Sequence, residues 1–389
     1  MKKLAIISTH PIQYNAPLFA LLAQRNVIEI KVFYTWGETV LQNKYDPGFG
    51  KVINWDIPLL EGYAYSFVHN VATNKGSQHF KGIDNPSLIA DIEKWGAGAI
   101  LIFGWSFKSH LKTIRYFHNK IPVYFRGDST LMRKQSGLKI ILRKIFLKWV
   151  YHYIDAAFYV GTENKKYFLA NGLKTAQLIF AAHAVNNELF ADADGTKEIA
   201  ALLWKKELGI KEGELTIIFA GKLEAVKNPF FILELARRMA GLSIQFVMAG
   251  NGPLEVDLKA QASDLPNMIF LDFQNQSKMP LVYRLGDVYI LPSESETWGL
   301  AVNEAMACGK AVVVSKNVAC ATDLVKQGIN GYAFDGDNIE DVVEYLKGLI
   351  KNPSQVSKMG AASLGIITSW SYEHICIALE NEITKTVTV

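Results

Sequence analysis

Glu296 and Glu304 stand eight positions apart in the run Leu291-Pro292-Ser293-Glu294-Ser295-Glu296-Thr297-Trp298-Gly299-Leu300-Ala301-Val302-Asn303-Glu304-Ala305-Met306-Ala307-Cys308-Gly309. An apolar strand pattern ends in a Ser/Glu loop, a helix pattern opens near Gly299, and Gly309 stops it. A glycine at a loop-to-helix junction lets backbone N–H groups approach an anion, and a helix N-terminus favours phosphate. Glu304 falls about one and a half turns inside the helix, where a carboxylate accepts two hydroxyls, such as those of a ribose. Its neighbours Val302, Ala305 and Met306 are apolar, so its charge needs a partner. The plainer alternative is two solvated glutamates on a surface loop and helix.

Other strand ends carry similar chemistry. Phe219-Ala220-Gly221-Lys222-Leu223-Glu224-Ala225-Val226-Lys227-Asn228-Pro229 presents a glycine and two cations before a helix opened by Asn as N-cap and Pro at N1. Lys222 and Lys227 suit the charge of a diphosphate leaving group; taken alone, they read equally as exposed lysines beside a turn. Gly250-Asn251-Gly252-Pro253 is a glycine-rich turn between a strand and a helix, weak evidence by itself. Phe273, Gln274 and Asn275 follow a further strand pattern. In the first half, Ser8-Thr9-His10-Pro11-Ile12-Gln13-Tyr14 follows the first strand, and His10, Gln13 and Tyr14 are candidates for phosphate or acceptor hydroxyls. Arg126 and Asp128 end another strand, where they either pair with each other or orient an acceptor hydroxyl.

Strand patterns at 4–8, 28–36, 99–105, 123–128, 156–161 and 176–182 alternate with helical ones at 109–119 and 163–171. The second half repeats this at 215–223, 244–250, 268–273, 288–292 and 311–315. Strands alternating with helices predict βαβ units and parallel sheets. The expected fold is α/β, with two Rossmann-like doubly wound domains facing a central cleft. A polar run at 191–196 suggests a hinge near 185–197, giving domains 1–195 and 196–370.

The chain has 389 residues, 50% hydrophobic, which excludes a disordered protein and fits two domains. Three cysteines exclude a disulfide scaffold and point to a reducing, cytoplasmic setting. The apolar run after Lys3 is too short for a signal-peptide core, and no segment reaches the roughly 18–20 apolar residues of a membrane span. Residues 1–195 hold 23 Lys+Arg against 14 Asp+Glu, and the remainder 18 against 23, so the halves carry +9 and −5. Nucleic acid is not an expected partner, because dense basic clusters with interleaved aromatics occur only once. That cluster is 133–149, with Arg133, Lys134, Lys139, Arg143, Lys144 and Lys148 among apolar residues. It suits an anionic membrane surface, hence a peripheral location, or equally a sheet-packing helix with a solvated basic face. The pairs Asp192/Asp194 and Asp335/Asp337 read as turn chemistry, and no catalytic metal is expected.

These motifs together resemble the retaining, nucleotide-sugar-dependent glycosyltransferases of family 4, which have the GT-B fold. The shared elements are the E-x7-E pair Glu296/Glu304 with Glu-Ala-Met-Ala-Cys-Gly, Gly221 to Lys227, Ala249-Gly250-Asn251-Gly252-Pro253, residues 270–283, and the run 324–335. The match is dense over 215–340 and loose before it. The resemblance implies an N-terminal acceptor domain and a C-terminal donor domain, with a last helix, 371–389, crossing back. It implies that Glu304 binds the ribose, that Glu296 holds the donor sugar, and that amides near Trp298, Gly299 and Leu300 grip phosphate. Ser293 and Thr297 lie in the same loop. Lys222 and Lys227 would stabilise the departing diphosphate of a UDP- or GDP-type donor, with no metal and no other cofactor. The acceptor would be a glycan or lipid-linked glycan. Three departures stand out: Lys222 replaces the usual Arg, Pro11-Ile12-Gln13 replaces a Gly-Gly pair, and Arg126 replaces a strand-end His. A nucleotide-sugar epimerase or hydrolase of the same fold, or a non-catalytic nucleotide-sugar-binding protein, are the other readings.

Overall fold

The computed structural model describes residues 1–38, 45–46, 48–132, 137–336 and 338–385. Arg133, Lys134 and Asp337 lie outside the described residues. The chain forms two compact units. One comprises Met1–Lys44, Ile57–His183 and Tyr372–Val389, the other Tyr45–Asp56 and Ala184–Ser371. The division thus falls at 183/184, where composition suggests 195/196. The polar run that suggests a hinge is helix-cap chemistry. Asp192 accepts from the amides of Lys197 at 3.1 Å and Glu198 at 2.8 Å, and Asp194 from the amide and hydroxyl of Thr196. The buried Arg284 guanidinium lies 3.8 Å from Asp192 and so holds that cap to the second unit.

The strands up to residue 183 are β1 (Lys3–Ser8), β2 (Glu29–Tyr34), β3 (Tyr45–Asp46), β4 (Lys51–Val52), β5 (Ala64–Phe67), β6 (Ala99–Phe103), β7 (Val123–Arg126), β8 (Ala156–Tyr159) and β9 (Leu178–Phe180). In the first unit they build a parallel sheet of order β5-β2-β1-β6-β7-β8-β9. Leu4 to Ile7 are fully buried, as both-face coverage of a parallel sheet requires. β1 and β6 are adjacent, yet their connections run to opposite edges. Their carboxyl ends therefore flank a crevice, the usual place for a ligand in such folds.

The second unit holds β10 (Leu215–Ala220), β11 (Ile244–Ala249), β12 (Met268–Leu271), β13 (Val288–Leu291), β14 (Ala311–Ser315) and β15 (Gly331–Phe334). Their order is β12-β11-β10-β13-β14-β15, all parallel, and the reversal falls between β10 and β13. β3 and β4 pair as a short antiparallel ribbon.

The helix Tyr372–Thr384 belongs to the first unit and docks there beside the helix Ala16–Arg25. Arg25 donates from Nε and an Nη to both oxygens of Glu380, each at 2.7 Å, and also pairs with Glu373. Tyr372 donates to the carbonyl of Tyr14 at 2.9 Å. Glu380 is only 6% exposed, so removing Arg25 leaves a buried charge without its fork. Arg25→Ala is expected to cost about 1.5–3 kcal/mol, read as a lower urea midpoint. An unchanged midpoint would mean that apolar packing alone holds the helix.

Candidate functional site

The crevice between β10 and β13 gathers the strongest chemistry. The chain leaves β10 through Gly221 and Lys222 and makes a single 3-10 turn, Ala225–Lys227. Asn228 follows in the left-handed region at φ 50°, with no side-chain cap bond, and Pro229 begins the helix Pro229–Arg238. Asn228 thus serves as a bend and not as the side-chain cap its type suggests; asparagine tolerates that conformation better than most residues. The bend directs Lys227 toward the loop after β13. There its ammonium forms an ion pair with Glu296, and the Ser293 hydroxyl donates to the same oxygen at 3.0 Å.

Glu296 is also fixed through its backbone. Its amide donates to Asn317 at 3.2 Å, and its carbonyl accepts from Ala319 at 3.3 Å. The Glu294 amide donates to Val226 at 2.9 Å. Exit loops from β10, β13 and β14 therefore meet at one residue. Gly299, at φ 101°, opens the helix Leu300–Ala307, and a Cβ there would stand 2.7 Å from Val318. That close approach, together with the left-handed backbone, accounts for the glycine. Trp298 is buried, donates to Asn303 at 2.8 Å, and its ring lies 5.1 Å from Trp370. Its side chain anchors the loop, while Thr297 is exposed at the rim.

Glu304 is buried one helix turn further in. Tyr283 donates to one oxygen at 2.6 Å and Gln276 to the other at 3.3 Å, so neighbouring elements set the plane of the carboxylate. Among the described residues the buried Tyr289 hydroxyl finds no hydrogen-bond partner, and burial, with the charges of Glu296 and Glu304, pushes its ionisation well up. Tyr283 and Gln276 fall within the shared segment 270–283, but nothing in that segment marks them as partners of the glutamate, and only the fold brings them to it.

The glycine-rich turn after β11 proves to be a loop junction. A Cβ on Gly250 would lie 2.0 Å from the carbonyl oxygen of Gly221, and one on Gly252 would lie 2.5 Å from that of Leu223. The buried Asn251 side chain donates to Glu255 at 2.8 Å and Asp272 at 3.0 Å, and accepts from the Phe273 amide at 2.8 Å. It ties the β11 exit to the β12 exit. The Asn251 amide and the charge of Lys51 hold the Asp272 carboxyl below its ordinary range.

Residues 48–56 cover that β12 exit. Phe49 meets Phe273 edge-on at 4.9 Å, and the Lys222 ammonium lies 4.9 Å from the Phe49 ring centroid. Asn275 donates to the carbonyl of Asn54 at 2.6 Å, Asp56 accepts from the amide and hydroxyl of Ser277, and Gln274 bonds its neighbour Asp272. The two lysines thus have different companions: Glu296 for Lys227, an aromatic face for Lys222. Phe49, Asn54 and Asp56 were invisible in sequence, because more than two hundred positions separate them from the loop they cover.

The first unit places its candidates differently. His10 follows β1, shares a hydrogen bond with the Thr9 hydroxyl at 2.8 Å, and lies edge-on to Trp36 at 5.2 Å. Gln13 and Tyr14 are half-buried in the turn before Ala16–Arg25. Arg126 is buried and donates to the carbonyls of Ala181 at 2.8 Å and Ala182 at 2.9 Å, which makes it a clamp on the chain leaving β9. Burial pulls it down to about 10, opposed by the charge of Asp128. His183 beside it is pulled down to about 4 by burial and by Arg126. His110, absent from the sequence motifs, is fully buried between Thr35 and the carbonyl of Gly104, each at 2.8 Å. Burial lowers it to about 4, so it is neutral, with its proton on Nδ1 facing the carbonyl. Among the described residues no group of three or more His, Cys, Asp or Glu is spaced to hold a metal ion.

Residues 202–364 match the family model described as Glycosyl transferases group 1. A D-inositol 3-phosphate glycosyltransferase of Rhodococcus erythropolis is 27% identical over 183 residues, 44% of this chain and 41% of that protein. The match thus spans about two-fifths of that curated relative's length. Among solved structures, a glycosyltransferase from Rickettsia africae superposes with TM-score 0.72 at 13% identity over 99% of both chains. Anabaena HepE, solved with UDP, gives TM-score 0.72 at 15% identity over 99% of this chain and 100% of that one. Its complex with UDP-glucose gives 0.68 at 14% with the same coverage. The fold is therefore that of the GT-B glycosyltransferases: two α/β units, each with a Rossmann-like parallel sheet.

Asn251→Ala is expected to reduce stability by about 1–3 kcal/mol, since the half-buried Phe273 amide loses its acceptor and Glu255 and Asp272 each lose a donor. Thermal unfolding reads this. An unchanged melting temperature with lost nucleotide affinity would return Asn251 to direct ligand contact.

Proposed function

We propose that this chain is a retaining glycosyltransferase that moves a sugar from a nucleoside-diphosphate donor to a hydroxyl of a glycan or lipid-linked glycan, without a divalent metal. The observation that carries the reading is the Lys227–Glu296–Ser293 cluster at the β10/β13 crevice, beside the oriented Glu304 and within the segment that matches the family model. A UDP-type donor is favoured by the UDP and UDP-glucose bound to the structural neighbour.

Each residue has a role in this reading. Glu304, its plane set by Tyr283 and Gln276, accepts the ribose hydroxyls. Phe273, Gln274 and Asn275 border the base, with Phe49 beside them. Gly221 leaves room for the diphosphate near the β10 exit, and the amides at Trp298, Gly299 and Leu300 meet its charge at a helix N-terminus. Gly250, Asn251 and Gly252 build the turn that supports this loop. Glu296 turns toward the donor sugar hydroxyls as Lys227 exchanges its carboxylate partner for the leaving phosphate; Lys222 supplies a second cation. The bond from the anomeric carbon to the phosphate oxygen breaks while the acceptor oxygen bonds the same face. The acceptor proton passes to a donor phosphate oxygen. The lysines carry charge that a metal carries elsewhere. The first unit receives the acceptor, with His10, Gln13, Tyr14 and Asp128 as its polar contacts, and Arg126 positions the chain behind them.

Thermal stabilisation by UDP, GDP, ADP and their sugars tests the donor site. Ligand at about 100 times its dissociation constant adds about 2.7 kcal/mol, and Glu304→Ala should remove that shift. No shift with any nucleotide would sink the reading. Lys227→Ala should lower turnover about a hundredfold or more, whereas Glu296→Gln should lower turnover with less effect on UDP binding. EDTA should leave activity intact; abolition by EDTA would overturn the metal-free step.

A further inference from the structure

The helix Leu138–Tyr151 is apolar on two opposite faces. Leu147, Val150 and Tyr151 are buried against the first unit. On the other side Ile141, Leu142, Ile145, Phe146 and Trp149 point outward, with Leu142 58% and Ile145 63% exposed. A helix that merely packs on a sheet has a polar outer face; this one does not. Lys144 and Lys148 border one side of the outward stripe, while Arg143 turns back and donates to the Tyr167 hydroxyl at 3.3 Å, and the sequence has no acid from Ser129 to Ile154. Trp149 carries the Arg115 guanidinium 5.3 Å from its ring centroid, so the neighbouring helix Lys108–Phe117 extends the basic rim. Trp149 and Tyr153, with rings 5.5 Å apart, are the residue types that settle at a lipid–water boundary.

We propose that this helix is a docking surface for an anionic lipid bilayer. Its outward stripe enters the headgroup region, and Lys144, Lys148 and Arg115 contact lipid phosphates. Cations on the rim of an apolar stripe match a negatively charged surface with an apolar interior. They would repel one another across a contact between two copies of this helix. Among the described residues no helix is long and apolar enough to cross a membrane, so the attachment is superficial. The inference does not depend on the proposed catalysis, because bilayer binding needs no nucleotide.

Co-sedimentation of the full chain with phosphatidylcholine vesicles, with and without about 30% phosphatidylglycerol, tests it. Partitioning should rise about tenfold or more with the anionic lipid and fall with salt. Lys144→Gln and Lys148→Gln should each lower it about fivefold, and the double variant Leu142→Ser/Ile145→Ser about tenfold or more. The substituted side chains are exposed, so melting temperatures should stay unchanged. Failure to bind anionic vesicles, or binding that these variants do not reduce, overturns the proposal. So does light scattering that shows a dimer dissolved by Leu142→Ser/Ile145→Ser, which would make the stripe a protein–protein interface.

Discussion

The second unit's candidate site depends on one residue that is an ion-pair partner through its side chain and a structural joint through its backbone. Glu296 holds Lys227 with its side chain and the loop after β14 with its backbone. Neither partner is close in sequence. An unpaired carboxylate at this largely enclosed position would be costly, so the ion pair stabilises the loop geometry while the site is at rest. The same pairing keeps a cation poised at the crevice. In the proposed reading, a charged ligand would meet groups already desolvated and already oriented, and the reorganisation needed would be an exchange of partners.

Glu304 works on a different principle. It is buried in a helix, and its donors come from Tyr283 and from the β12 exit loop at Gln276. Its orientation is therefore a property of the packed sheet and not of a mobile loop. The glycines at 250, 252 and 299 serve a related end. Each stands where another backbone or side chain passes too close for a Cβ. What reads in sequence as an anion-binding signature is, in the structure, first a requirement of loop-on-loop packing.

Much of this was legible in the residues. The buried strands β1, β6, β10, β11, β13 and β14 are near-continuous apolar runs, and both helices read at 109–119 and 163–171 exist within two residues of those bounds. β5 was not legible, because it is an edge strand with Ala64 and Tyr65 exposed, so it shows no buried face. The compact units divide at 183/184, just before the polar run, whose composition does not tell capping aspartates from a linker. A charged strand end such as Arg126 looks the same in sequence whether it faces a ligand or, as here, two backbone carbonyls. The cover formed by residues 48–56 was out of reach for a further reason. Its contacts are one aromatic pair, one cation over a ring and a few polar bonds, none with a local period.

Neither unit is a continuous stretch of chain, and this has a consequence for how the protein is made. The first unit's sheet is complete by residue 180, but the helix that docks beside Ala16–Arg25 comes only with Tyr372–Thr384. On the ribosome, the second unit has all its strands before that helix emerges, and its remaining piece, 45–56, was synthesised long before. Domains usually finish folding in order from the N-terminus. Here the order of completion is reversed: the unit begun first is the one closed last.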